Sequence, residues 1–575
     1  MGFVSAASRL YHRRMMRTPL LAVRRWPALT RRRCLGLLAG AVALPFAGAL
    51  AQATPPAATP AGPVTLTGAK PKRSGTPRGA QTLRLTGPLQ EPLTIDPARL
   101  NDTSSAFLAR QVFSGLTRFD AKLNPIPDLA ERIEIAADGL TYRFTLWADA
   151  KFADGAPIDA QAVITAFTRA LNPGDGTPPS DLTGGVFLSD IAGAADLIAG
   201  KTKTLAGATA IDERTLELRL AKPRATFLIK LAAPQAGVVD PRDPARGADW
   251  WRSPNASGPF KIASWTPNEK IVFAANDAYV LGRPLLDQIE VRIGPGAANP
   301  FNLFQAGQID VTDVPTDAID LALDPENPNA KSVIQTPLFS TEYMAFRTDV
   351  PPLDDPHIRQ ALLLAFPRDK IAAVTFGGHA QPGDSLIPPG MLGQSWPSVL
   401  PAAVDVERAK AEIAASRYGA AERVPAIQLY TANRFGPEAL RDVVAASLGL
   451  KIEVIDAEWQ TYITGLSRQE FPAYDLLWIA DYPDPETFLG SLFAASSPSN
   501  YSGYRNPRYD AVLAEATATL DPKARAALYR QAQDILLGDG VVLPLYHDIR
   551  YTLASPAVHG LPMTPIGLLQ LDDVW

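Results

Sequence analysis

Leu476-Leu477-Trp478-Ile479-Ala480-Asp481-Tyr482-Pro483-Asp484-Pro485 is an apolar run that stops on a carboxylate and passes into a proline-rich turn. Residues 476–480 read as a buried strand, because a short unbroken apolar stretch bounded by turn residues has both faces covered. Working outward, helical spacing of apolar residues predicts helices at 105–116, 159–171, 356–364, 406–415, 437–447 and 522–537. Asp159 has the position and chemistry of an N-cap. Strand alternation appears at 82–85, 142–146, 215–220, 271–273 and 289–293. Strands and helices interleave along the whole chain, so the fold class is mixed α/β. No internal repeat or heptad pattern is present.

The 575 residues exceed what one hydrophobic core organises, so two or three domains are expected. A formal net charge of −4 gives no electrostatic reason for a nucleic-acid or anionic-membrane partner. The first 53 residues read as an export signal. Arg13, Arg14, Arg17, Arg24, Arg25, Arg31, Arg32 and Arg33 precede an apolar run from Cys34 to Leu50, and small residues follow. Cleavage is expected near Ala51–Ala53, with a retained anchor as the alternative. Thr30-Arg31-Arg32-Arg33-Cys34-Leu35 also resembles a twin-arginine signal, with Cys34 in place of the usual aromatic. Residues 54–81 are rich in Pro, Ala, Gly, Thr and Lys and read as a flexible linker.

Much chemistry is missing. Cys34 is the single cysteine and lies inside the signal, which excludes disulfides, thiolate metal sites and a Cys nucleophile from the mature chain. The five histidines form no zinc-helix spacing, and no nucleophile elbow, phosphate loop or EF-hand loop occurs. No catalytic residue, metal or cofactor is expected. A triad assembled from distant residues would be the enzymatic alternative, a periplasmic hydrolase or peptidase.

Four segments, read in order, carry a resemblance. They are Leu93-Thr94-Ile95-Asp96-Pro97 with Gln111-Val112-Phe113-Ser114-Gly115-Leu116; Asp138-Gly139-Leu140-Thr141-Tyr142-Arg143-Phe144-Thr145-Leu146 with Phe152-Ala153-Asp154-Gly155-Ala156-Pro157; Ser257-Gly258-Pro259-Phe260 with Ala306-Gly307-Gln308-Ile309-Asp310; and Pro352-Leu353-Asp354-Asp355-Pro356-His357-Ile358-Arg359-Gln360-Ala361-Leu362. Together they resemble family 5 of the solute-binding proteins, the peptide-binding components of ABC importers. The resemblance implies a periplasmic-binding-protein-like fold of class II, cluster C: two lobes joined by a hinge, with an extra domain inserted in the first. On that pattern domain I holds 82–107, 215–312 and 550–575, domain II holds 108–214, and domain III holds 313–549. It also implies a monomeric periplasmic protein that closes around a short peptide and delivers it to permease subunits in the inner membrane. Within the same fold, a dipeptide, nickel chelate, haem, opine or sugar is the alternative ligand, and a sensing role the alternative to transport.

The resemblance extends to site residues. The run through Asp481 is similar to the oligopeptide-binding subgroup, where the matching Asp accepts the ligand's α-ammonium. An ammonium removed from water needs a carboxylate to meet it. Main-chain groups of Leu477, Trp478 and Ile479 would pair with an extended peptide as with another strand. A turn-forming Asp ahead of Pro483 is the plain alternative. Thr103 matches a position whose backbone faces the peptide from domain I, and Asn101 stands where the best-known members carry an acidic residue. Trp459 and Trp478 match aromatic pocket walls, with core packing as the alternative. Arg468 is the candidate for the ligand carboxylate, with an ordinary surface Arg as its alternative.

Overall fold

The computed structural model describes residues 63–72, 80–172, 174, 182–397, 399–400, 403–432 and 436–575. The expected signal, 1–53, lies outside them. Among the described residues no helix is long and apolar enough to cross a membrane.

Three main sheets organise the chain. The first is antiparallel, in the order Val64–Thr67, Ala130–Ile135, Thr141–Leu146, Thr215–Arg219, Ala208–Ala210. Helix Ala160–Leu171 starts where Asp159 accepts a hydrogen bond from the Ala162 amide, as its cap position requires. It buries Val163, Phe167 and Leu171 in one core with Ile133, Phe144, Leu216 and Leu218 of the sheet. Each such side chain contributes about 1.5–3 kcal/mol on full burial.

The second sheet runs Thr82–Thr86, Gln288–Arg292, Lys270–Ala275, Phe260–Thr266, with the first pair parallel. Its core takes Leu83, Leu85, Ile289 and Val291 together with Leu108, Ala109 and Val112 of helix Thr103–Val112. The third sheet has eight strands. Its main path is Val311–Asp313, Val542–Ala554, Ser340–Phe346, Ala473–Ile479, Ile427–Thr431, Ile452–Asp456, and Val333–Pro337 and Ala380–Pro382 also pair with Val542–Ala554.

The first two sheets draw on residues 64–292 and the third on residues 311–554. The third sheet begins and ends in adjacent antiparallel segments: Val311 pairs with Ala554, Thr312 with Leu553 and Asp313 with Thr552. Val311 and Ala554 pack into the core of the four-stranded sheet, whereas Val314, Tyr551 and Leu553 form a separate small cluster. Arg84 anchors that pair of strands by holding both oxygens of Asp310, at 2.6 and 3.1 Å.

Several expected boundaries fall within or across these elements. Val64–Thr67, inside the expected linker, is a strand that pairs residue for residue with Ile135 to Arg132, and Lys70 meets Asp149 at 2.7 Å. A sheet edge with unpaired main-chain groups outweighs the flexible composition there. Strand Thr215–Arg219, assigned to domain I, pairs with Thr141–Leu146 in the five-stranded sheet. The expected division at 107/108 cuts a continuous helix whose buried face belongs to the four-stranded sheet. The division at 549/550 likewise falls inside the long strand Val542–Ala554.

Candidate functional site

Strand Ala473–Ile479 has a fully paired edge and a partly open one. On one side all seven residues pair with Ser340–Phe346. On the other, Ile427–Thr431 reaches only Ala473 and Tyr474. No described strand pairs beyond them, so that side of 475–479 carries no further strand. Ala480 donates its N–H to Phe339 at 2.8 Å, toward the paired side. Since main-chain groups alternate along a strand, those of Leu477 and Ile479 point to the open edge. The Asp475 carbonyl, in the same phase, accepts from the hydroxyl of Tyr462 on that edge.

Asp481 stands at the end of this edge. It is exposed, and desolvation by the protein around it nonetheless pushes its carboxyl up to about 6 despite opposing help from Thr487 and Lys230. Thr487, buried in the first turn of helix Glu486–Phe493, fixes the geometry. Its hydroxyl donates to Asp481 Oδ2 at 3.2 Å and accepts from the Asp481 amide at 3.2 Å and the Trp478 indole at 3.3 Å. Trp478 is thereby half-buried and locked against Asp481.

The turn belongs to the other aspartate. Asp484 Oδ1 accepts from the Glu486 amide at 3.0 Å, and its buried carboxyl is pushed up to about 6 by desolvation, against the pull of Arg525.

Charges from residues 190–230 face this loop. Lys230, on the short helix Phe227–Leu231, lies 3.0 Å from Asp190 and 3.9 Å from Glu486, with its ammonium 5.6 Å from the centre of the Tyr482 ring. Arg224 lies 2.9 Å from Asp190 and 3.2 Å from Glu486. No local pattern points to these partners, which sit some 250–300 positions upstream of Asp481.

The other expected residues do not join this group. Trp459 is 48% exposed and stacks on Tyr462 at 6.2 Å, which places it beside the lower end of the open edge without burying it. Arg468, at the far end of the same helix Trp459–Ser467, has a side chain 68% exposed and faces Glu470 at 3.8 Å. It is a surface Arg, since a long charged chain at a helix end gains more from water than from enclosure. Asn101 and Thr103 are exposed at the start of helix Thr103–Val112, whose cap is Asp102; no hydrogen bond or ion pair among the described residues joins them to Asp481. Among the described residues no cluster of potential metal ligands occurs.

Residues 124–500 match the family model described as bacterial extracellular solute-binding proteins, family 5 Middle. A probable deoxycholate-binding periplasmic protein of Escherichia coli is 30% identical over 487 residues, covering 82% of this chain and 89% of that protein. The periplasmic oligopeptide-binding protein of Escherichia coli is 26% identical, covering 81% and 87%. Among solved structures, the Escherichia coli murein tripeptide binding protein superposes with a TM-score of 0.74 at 26% identity, covering 87% of this chain and 99% of that one.

Proposed function

The chain belongs to family 5 of the bacterial extracellular solute-binding proteins, and from that membership we propose that it captures short peptides between its lobes and delivers them to an ABC permease from the periplasm. It is a binding protein and not an enzyme, as its relatives are. The observation that carries the peptide reading is the Asp481 carboxylate at the end of an open strand edge. An extended peptide lays its main chain along Leu477 and Ile479 and brings its α-ammonium to Asp481. Backbone pairing reads no side chains, so many sequences are accepted. Trp478 forms a wall beside the first residue. The basic and apolar leader, 1–53, exports the chain and is removed.

A specific charge argument favours a cationic head over a carboxylate-bearing ligand such as a bile acid. Asp481, Asp190 and Glu486 supply three negative charges, and Arg224 and Lys230 two positive ones. One negative charge remains in excess. An anion brought there meets repulsion from that excess charge. Titration calorimetry with a short peptide, its N-acetylated form and deoxycholate tests this. The free-amine peptide binds at least tenfold more tightly than the acetylated one, and deoxycholate competes with neither. Equal affinities for the two peptides would remove the ammonium contact.

A further inference from the structure

Arg110, near the end of helix Thr103–Val112, is half-buried. Desolvation pulls its guanidinium down to about 10, with no carboxylate among the described residues to offset the loss of water. Among the described residues it has no ion pair and no hydrogen bond; its guanidinium carbon lies 6.0 Å from the centre of the Phe119 ring. Other arginines of this region are provided for. Arg118 meets Asp572 at 3.2 Å, Arg84 meets Asp310 at 2.6 Å, and Arg169 meets Asp96. A ring attracts a cation through its face, but it leaves the in-plane N–H groups, five in a fixed fork, without an acceptor. That fork matches the two oxygens of a carboxylate.

Hydrogen bonds tie this helix to the end of the strand that precedes Asp481. Ala480 donates to the Phe339 carbonyl, and Phe339 to the Pro565 carbonyl, each at 2.8 Å. Pro565 follows Met563–Thr564, which pairs with Gly567–Leu568 in a short hairpin. The next carbonyl, that of Leu569, accepts from the Gln111 side chain at 3.3 Å, and the Gln111 side-chain oxygen accepts from the Leu571 amide at 3.0 Å. Phe119, Ala480, Tyr482 and Leu569 share one hydrophobic core. Helix Thr103–Val112 buries Ser105, Leu108, Ala109 and Val112. Thr103, Phe107 and Arg110 are not buried, and their spacing of four and then three residues lines them up on one side of the helix.

We propose that Arg110 is the carboxylate receptor of the binding site, its N–H fork holding an acidic group of the same ligand whose ammonium goes to Asp481. The inference rests on the peptide-capture reading for the identity of the ligand, and it adds the residue that reads the ligand's negative charge. A free chain terminus and an acidic side chain both carry the required group. Arg468 offers such a group less, because it is 68% exposed and already faces Glu470, and an ion pair formed in water gains little. With a cation receptor at Asp481 and an anion receptor at Arg110, a ligand bearing both charges is held in one direction along the strand edge.

The test is calorimetry on the full mature chain with trialanine, trialanine amide and the amide of alanyl-glutamyl-alanine. In the wild type one of the two carboxylate-bearing peptides binds at least tenfold more tightly than trialanine amide, and which of them does so tells a chain terminus from a side chain. Arg110→Gln loses that advantage and Arg110→Lys keeps part of it. An advantage that survives in Arg110→Gln, or that is missing from the wild type, overturns the receptor even where peptide binding is established. The variant gives up no ion pair among the described residues, so ligand-free Arg110→Gln melts no lower than the wild type; a marked fall would mean that Arg110 holds the fold instead, and overturns the proposal. A wild type that binds none of the peptides overturns the capture reading. Deoxycholate then decides Arg110: affinity for it that Arg110→Gln abolishes keeps the carboxylate receptor, and no affinity, or affinity that the variant retains, removes it.

Discussion

Asp484 Oδ2 lies 3.4 Å from Arg525 Nε, and both side chains are buried. Two aspartates three residues apart therefore differ in setting: Asp484 holds the loop onto helix Pro522–Gly538, and Asp481 stands exposed at the end of the strand edge. Removing one partner of a buried pair strands the other. Asp484→Ala is expected to destabilise the second lobe by about 3–5 kcal/mol, read as a lower urea midpoint. The double variant Asp484→Leu with Arg525→Met recovers most of that loss. Equal stability of wild type and Asp484→Ala would show that the pair does not hold the loop.

Thr487 is the second residue to test, because one hydroxyl serves Asp481 twice and Trp478 once. Thr487→Val keeps the volume and deletes the hydroxyl. A net hydrogen bond is worth about 0.5–1.5 kcal/mol, more when one partner is charged. Peptide affinity is therefore expected to fall by about tenfold, and Trp478 fluorescence to shift as its indole loses its acceptor. Unaltered affinity together with an unaltered spectrum would show that the hydroxyl does not position the site.

The N-terminal strand offers a prediction about solubility. Val64–Thr67 covers the edge of Ala130–Ile135 in a four-residue register, and Lys70 lies over the Trp147 ring at 5.1 Å while paired with Asp149. A chain beginning after Lys70 exposes that edge, which becomes a template for pairing with a second copy. It is expected to exchange amide hydrogens faster in 130–135 and to self-associate in light scattering at high concentration. A truncated protein with native exchange and no association would show the strand to be dispensable.

What the sequence disclosed follows the range of the forces involved. Local signals were legible: Asp159 capping its helix, the apolar run that forms Ala473–Ile479, and the proline turn after it. Val64–Thr67 was not, since four residues amid Pro, Gly and Lys become a strand only by pairing with a segment nearly 70 residues away. Thr215–Arg219 read as a strand, but its sheet was decided by Thr141–Leu146 and not by its own residues. The Glu486 partners are set by side chains about 260 positions apart, which no local pattern encodes. Arg468 resembled a cation awaiting a carboxylate because sequence does not show which way a helix end faces.

The pH dependence of binding gives the sharpest test of Asp481. Loss of water pushes its carboxyl up to about 6 in the empty site, whereas the ligand's ammonium requires it ionised. A peptide α-ammonium loses its proton at about 7.7–8.0. Affinity is therefore expected to peak between these two values. Below about pH 6 the empty site binds a proton that the ligand must displace, so the dissociation constant rises about tenfold per unit, equivalent to 1.4 kcal/mol. Above about pH 8 it rises again as the ligand loses its charge. Asp481→Asn removes the acid limb and weakens binding at neutral pH by tenfold or more, and an N-acetylated peptide shows neither limb. Calorimetry in buffers from about pH 5 to 9, corrected for buffer ionisation, measures all three profiles and the proton released on binding at low pH. A wild-type affinity that stays level from neutrality down to about pH 5 would mean that no carboxylate of raised pKa receives the ligand.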